Sequence, residues 1–134
     1  MGKVNFTSPL QELAAPDSKV YSFFFDLNNL QKLMPDQIVN WQSTEDSCNF
    51  DIKGMAHITL QRAEGIPCKL VKVISGPETP IELEIRGNFE KLTEDSCNAW
   101  IELTAELSTM LKLMASGPLQ NLVNIMAEKL KSQI

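Results

Sequence analysis

The chain of 134 residues is poor in the features that most enzyme and cofactor classes require. It has one histidine, His57, and three cysteines with no CxxC spacing, so the paired ligands of a zinc site are missing. GxSxG, HExxH, the P-loop and GxGxxG are all absent. That removes motif-based assignment to serine hydrolases, zinc proteases, nucleotide hydrolases or dinucleotide enzymes. No catalytic residue, metal or cofactor is expected, and an enzyme is the less favoured class. The 12 Lys and Arg are scattered and outnumbered by 17 Asp and Glu, giving a net charge of -5. Phosphate binding draws on clustered cations, so neither nucleic acid nor an anionic membrane surface is an expected partner. No run approaches the ~18 apolar residues of a membrane span, and MGKVNFTSPLQEL lacks the basic start and apolar stretch of a signal peptide. With an odd number of cysteines, these traits predict a cytoplasmic protein without integral membrane association.

What is present is ordinary globular composition, 43% hydrophobic and 22% charged, at a length that fits one domain over residues 1-134. Residues 3 to 13 alternate crudely and predict a strand. Pro16 in a first helical turn, with Asp17 beside it, is helix-start chemistry. Val20, Phe23, Phe24 and Leu27 then fall at helical spacing. Asn28 or Asn29 caps a second short helix carrying Leu30, Leu33 and Met34, which must stop before Pro35.

From Gln37 to Glu106 the texture changes to period two. Phe50 and Ile52, Ile58 and Leu60, Ile85 and Phe89, and Ile101 share one parity, with charged and amide residues on the other. Turn residues at Thr44 to Ser47, Gly54, Glu64 to Pro67, Ser75 to Pro80 and Thr93 to Ser96 divide this stretch into six strands: 37-43, 48-53, 56-64, 68-75, 81-91 and 97-106. In 68-75 the inward side is ambiguous. Ser108 caps a turn carrying Met110 to Met114, and Ser116-Gly117-Pro118 restarts a longer helix with Leu119, Leu122, Val123, Met126, Leu130 and Ile134 as its apolar stripe. The order is β-α-α-β6-α, an α+β design in which a seven-stranded antiparallel sheet packs one greasy face on a long helix.

The hexapeptide TEDSCN occurs twice, at Thr44 to Asn49 and Thr93 to Asn98. Both copies fall at hairpin connections, and their residues suit tight polar turns, so shared turn chemistry accounts for the match. In a meander Cys48, Cys68 and Cys97 start alternate strands, roughly 10 Å apart at ~4.8 Å per strand. That is too far for a disulfide or a shared ion. Cys48 and Cys97 share the apolar parity and read as small packing residues.

The passage LQELAAPDSKVYSFFFDLNNLQKLMP and the closing MLKLMASGPLQNLVNIMAEKLKSQI, placed around the meander, resemble the START/Bet v 1-like superfamily, also called SRPBCC, across essentially the whole chain. The resemblance implies a helix-grip fold, with the sheet wrapped round the C-terminal helix and an apolar cavity between them. Phe50, Ile52, Ile58, Leu60, Ile85, Phe89, Ile101, Leu122, Val123 and Met126 would line that cavity or form a solid core. Met110 and Met114 are either an adaptable portal or gap fillers. Arg62 and Lys72 either hold the head group of a ligand or mark a strand end, bulge or snorkelling stem. His57 shares the wet face with Thr59 and Gln61. Trp41 and Trp100 are candidates for a protein-contact patch on the outer face, including a homodimer. The expected partner is a hydrophobic or amphipathic small molecule, bound without catalysis. A cyclase- or hydrolase-like enzyme and a filled-core interaction module of co-chaperone type are the alternatives.

Overall fold

The computed structural model describes residues 2–77, 79 and 81–134, so Glu78 and Pro80 of the expected Ser75 to Pro80 turn lie outside the described residues. Strands β1 (Gly2–Thr7) and β2 (Gln11–Leu13) precede helix α1 (Asp17–Phe25) and a 3-10 helix (Leu27–Leu33). Then follow β3 (Ile38–Ser43), β4 (Ser47–Ile52), β5 (Ala56–Ile66), β6 (Leu70–Ser75), β7 (Glu82–Thr93), β8 (Ser96–Leu107) and the closing helix α2 (Thr109–Gln133). One antiparallel sheet runs β1-β8-β7-β6-β5-β4-β3, with β2 also on β8. This is the helix-grip arrangement. None of the described helices is long and apolar enough to cross a membrane.

Four local expectations need correction. The first strand is two, because Pro9 has no N–H to give the ladder. Ser8 bridges the break: its backbone N–H donates to the Ile101 carbonyl at 2.9 Å, and its hydroxyl accepts the Ile101 N–H at 2.9 Å. Pro16 is the residue before α1 rather than part of its first turn. The second helix is 3-10 and begins at Leu27, because the Asp26 carboxylate accepts the Asn28 N–H at 3.0 Å, which leaves Asn28 and Asn29 inside it. Finally, α2 runs unbroken through Pro118.

Period two governs packing. Cys97, Ala99, Ile101, Leu103, Ala105 and Leu107 of β8 are all buried, as are Leu83, Ile85 and Phe89 of β7. In β6 the structure resolves the ambiguous parity: Val71 and Val73 face inward and Lys72 faces out. Val20 and Phe24 from α1, Leu27 from the 3-10 helix, and Leu119, Leu122, Val123, Met126 and Leu130 from α2 close on this face in one apolar core. The two TEDSCN copies lie on the same rim and make the same turn, with Thr44 and Ser47 hydroxyls 2.8 Å apart and Thr93 and Ser96 hydroxyls also 2.8 Å apart.

Candidate functional site

Strand pairing gives the molecule two unlike ends. At the rim carrying the TEDSCN turns, Phe89 meets Phe24 at 6.0 Å and Tyr21 at 6.3 Å, both edge to face, and aromatic packing fills the space between α1 and the sheet. The other rim carries the β4–β5 hairpin and the start of α2. Gly54 turns that hairpin at φ 74, and the Lys53 N–H donates to the Gln37 carbonyl at 2.9 Å, fixing the hairpin to the segment before β3. The Ser108 hydroxyl accepts the Leu111 N–H at 3.3 Å and starts α2. Between hairpin and helix lies an open groove of about 530 Å³, walled by Ile52, Met55, Leu111, Met114, Ala115 and Pro118, with Gln37, Lys53 and Asn121 at its margin.

The residues singled out from the sequence divide among several places. Phe50, Ile58, Leu60, Ile85, Phe89, Ile101, Leu122, Val123 and Met126 are buried together in the core. Ile52 is buried and also reaches the groove. Met114, 65% exposed, lines the groove, while Met110, 73% exposed, stands on the helix outside it; neither fills a gap.

Arg62 and Lys72 do not enter the interior. The Arg62 guanidinium stacks on Phe25 at 3.8 Å and donates to the carbonyls of Phe25 and Glu45, both at 2.8 Å. It ties the end of α1 to the first TEDSCN turn, because orphan carbonyls at a helix end take a planar cation well. Lys72 alternates with the buried Val71 and Val73 and lies on the outer face.

Trp41 also departs from expectation, by facing inward. Val39 pairs with Asp51 and Gln42 with Asn49, so Asn40 and Trp41 together oppose Phe50 alone. This β-bulge, with Asn40 left-handed at φ 55, shifts the parity of β3 by one residue. Trp41 consequently stacks on buried Phe50, with centroids 5.1 Å apart and planes at 6°. Its indole Nε1 is buried without a hydrogen-bond partner, a state that costs about 1–3 kcal/mol. Outside the sheet, the Asn40 amide donates to Asp51 Oδ2 at 2.7 Å and His57 Nδ1 lies 2.6 Å from Asp51 Oδ1. Trp100 stays on the outer face, partly exposed.

The Asn40 amide, then the His57 ring, hold the Asp51 carboxyl below its usual 3.8. A lowered folded-state value means this contribution to stability is present above the ordinary aspartate range and is lost as pH falls through the lowered value. Asp51→Asn should therefore lower the urea midpoint at neutral pH and shrink the acid-side decline seen in the parent. An unchanged acid limb would show that the clamp contributes nothing.

The three cysteines are free. Burial pushes the Cys48 thiol up to about 12 and, with the nearby Asp17 charge, raises that of Cys97, which makes both poor nucleophiles. Among the described residues no group of three or more metal-ligating side chains occurs, and Ser8 is the one buried polar residue. His57, on the wet face, is not among the residues lining the groove.

No protein-family model matches the chain, and no curated protein matches it. Solved structures do. A START superfamily protein from Mycobacterium smegmatis is 15% identical over 98% of this chain and 96% of its own, with a TM-score of 0.68. A Thermus thermophilus protein is 16% identical over 97% and 96%, with a TM-score of 0.75. Norcoclaurine synthase from Thalictrum flavum is 12% identical over 98% of this chain and 86% of its own, at 0.69. These likenesses show the START/Bet v 1-like fold over nearly the whole chain.

Proposed function

We propose that this START/Bet v 1-like fold holds a hydrophobic or amphipathic small molecule, lipid, sterol-like or polyketide-like, without catalysing a reaction on it. The groove between the β4–β5 hairpin and the first half of α2 carries this reading. About 530 Å³ is within the range of small-molecule sites, and the walls are mainly apolar. The apolar body of the ligand lies against Ile52, Met55 and Leu111. Lys53 and Asn121 at the margin meet its polar end, the orienting role first considered for Arg62 or Lys72. Free cysteines suit the reducing cytoplasm.

An enzyme of the cyclase or hydrolase kind needs polar groups converging on the substrate, and the one buried polar residue described, Ser8, is used by the Ile101 backbone. A filled-core module acting through its surface is favoured by one observation. Met110 and Leu113, 73% and 83% exposed, lie on α2 outside the groove and offer an apolar patch to another protein.

Native mass spectrometry after incubation with fatty acids, sterols and aromatic polyketides tests the choice. A one-to-one adduct is expected. Met114→Glu should weaken it about tenfold, since losing ~60 Å² of apolar contact at ~25 cal/mol/Å² is worth ~1.5 kcal/mol. Because Met114 is 65% exposed, the fold should survive the change. A chain that stays bare across the panel would favour the surface-acting module.

A further inference from the structure

The β3 bulge aims a hydrogen-bond donor inward and leaves it unmatched. Stacking on Phe50 explains the position of the Trp41 ring, yet a phenyl ring would stack as well and carry no polar atom. The parallel rings also exclude one local partner for Nε1. An indole N–H lies in the plane of its ring, so at 6° between planes it does not point at the face of Phe50.

Beside Trp41 is a second recess of about 390 Å³, formed with Met34, Pro35, Asp36, Ile38 and Asn40. Ile38 of this recess pairs with Ile52 of the apolar groove, so the two lie side by side across the β3–β4 ladder. Nearby, Lys129 Nζ donates to the Met34 carbonyl at 2.7 Å, which holds the segment before β3 against α2. The bulge is braced from outside by Asn40 and His57 on Asp51, so the inward setting of Trp41 is held from both faces of the sheet.

We propose that Trp41 Nε1 is the donor of a polar subsite that takes an uncharged oxygen acceptor, the carbonyl oxygen of a ligand whose apolar body occupies the groove; the Asp36 carboxylate in the recess disfavours a charged one. The proposal rests on the ligand-binding reading above and adds to it a second polar contact, apart from the one with Lys53 and Asn121 at the groove margin. Nε1 is closed to water here, so the acceptor reaches it by entering the recess and displacing its wall; the thioether of Met34 is a side chain able to repack in that way.

The test uses two probes of like shape, methyl naphthyl ketone and ethylnaphthalene, on the whole chain and on Trp41→Phe, which keeps an aromatic ring over Phe50. The parent should bind the ketone about tenfold more tightly than the variant does, the effect of one buried hydrogen bond, while the hydrocarbon binds both equally. In the nitrogen-labelled parent, the ketone alone should move the Trp41 indole proton downfield and leave that of Trp100 in place. Equal loss or equal retention of both probes in Trp41→Phe would overturn the donor role and leave the ligand-binding reading standing. Failure of the parent to bind either probe would count against both.

Discussion

Phe24→Ala is expected to destabilise the protein by about 3–5 kcal/mol, read as a lower urea midpoint at unchanged slope. Phe24 is fully buried at the filled end of the molecule, edge to face with Phe89. It also sits where β7 has no side chain: a Cβ built on Gly87 would lie 3.0 Å from both Cδ1 and Cε1 of the ring. A glycine inside a strand weakens it, and here the ring of α1 occupies the space that a side chain would take. Gly87→Ala alone should accordingly cost about 1–3 kcal/mol by overpacking. In the Phe24→Ala background the same methyl group enters a void, so the double variant should be clearly more stable than the sum of the two losses predicts. Strict additivity would mean that the ring and the glycine are not a fitted pair.

The parts of the fold legible in the sequence are those where one local rule acts without competition. Alternation runs from Leu83 to Phe89 in β7 and the length of β8, and Ile85, Phe89, Ile101 and Leu103 are buried as their spacing predicts. Of the Val20, Phe23, Phe24 and Leu27 stripe, Val20 and Phe24 are buried on α1 and Phe23 is partly buried, while Leu27 is buried from the 3-10 helix that follows. The TEDSCN turns were equally readable, because Thr and Ser hydroxyls three residues apart meet in the same way whatever the flanking strands do.

Where the sequence misled, a distant contact outweighed the local rule. Trp41 reads from the sequence as a candidate for the outer face, but the left-handed Asn40 moves it inside, and the amide that stabilises that turn reaches Asp51 on another strand. An asparagine before a tryptophan was the available signal, since Asn tolerates φ > 0 better than most residues. Arg62 shows the same limit, since its partners are the Phe25 and Glu45 carbonyls, far away in sequence and visible only once α1 is laid over the sheet. The groove was half legible. Met114 reads from the sequence as either a portal residue or a gap filler, and Ile52 and Met55 join it and Leu111 only where a hairpin from the middle of the chain meets the closing helix.

Pro118→Ala should stabilise the protein, by up to about 3 kcal/mol, the difference between these residues inside a helix. Ser116-Gly117-Pro118 reads as a break, yet α2 continues through it. Two things let it continue. The Ser116 hydroxyl donates to the Lys112 carbonyl. Beyond the proline, Leu119, Leu122, Val123, Met126, Ala127 and Leu130 are all buried, so tertiary packing holds that half of the helix against the sheet. Before the proline, Ala115 alone is buried, and Met110, Leu113 and Met114 are largely in solvent. Pro118 also withholds the N–H that would have met the Met114 carbonyl, and Gly117 has no neighbour near its Cβ position to steady it. The first half of α2, which forms one wall of the groove, is therefore the weakly held half. Amide exchange should be faster over residues 109–117 than over 119–130, and Pro118→Ala should narrow that gap while raising the melting temperature. If the variant gains no stability and the exchange gradient persists, the exposed apolar face rather than the missing hydrogen bond sets the weakness of this wall, and Met110 and Leu113 become the residues whose covering by a ligand or partner would firm it.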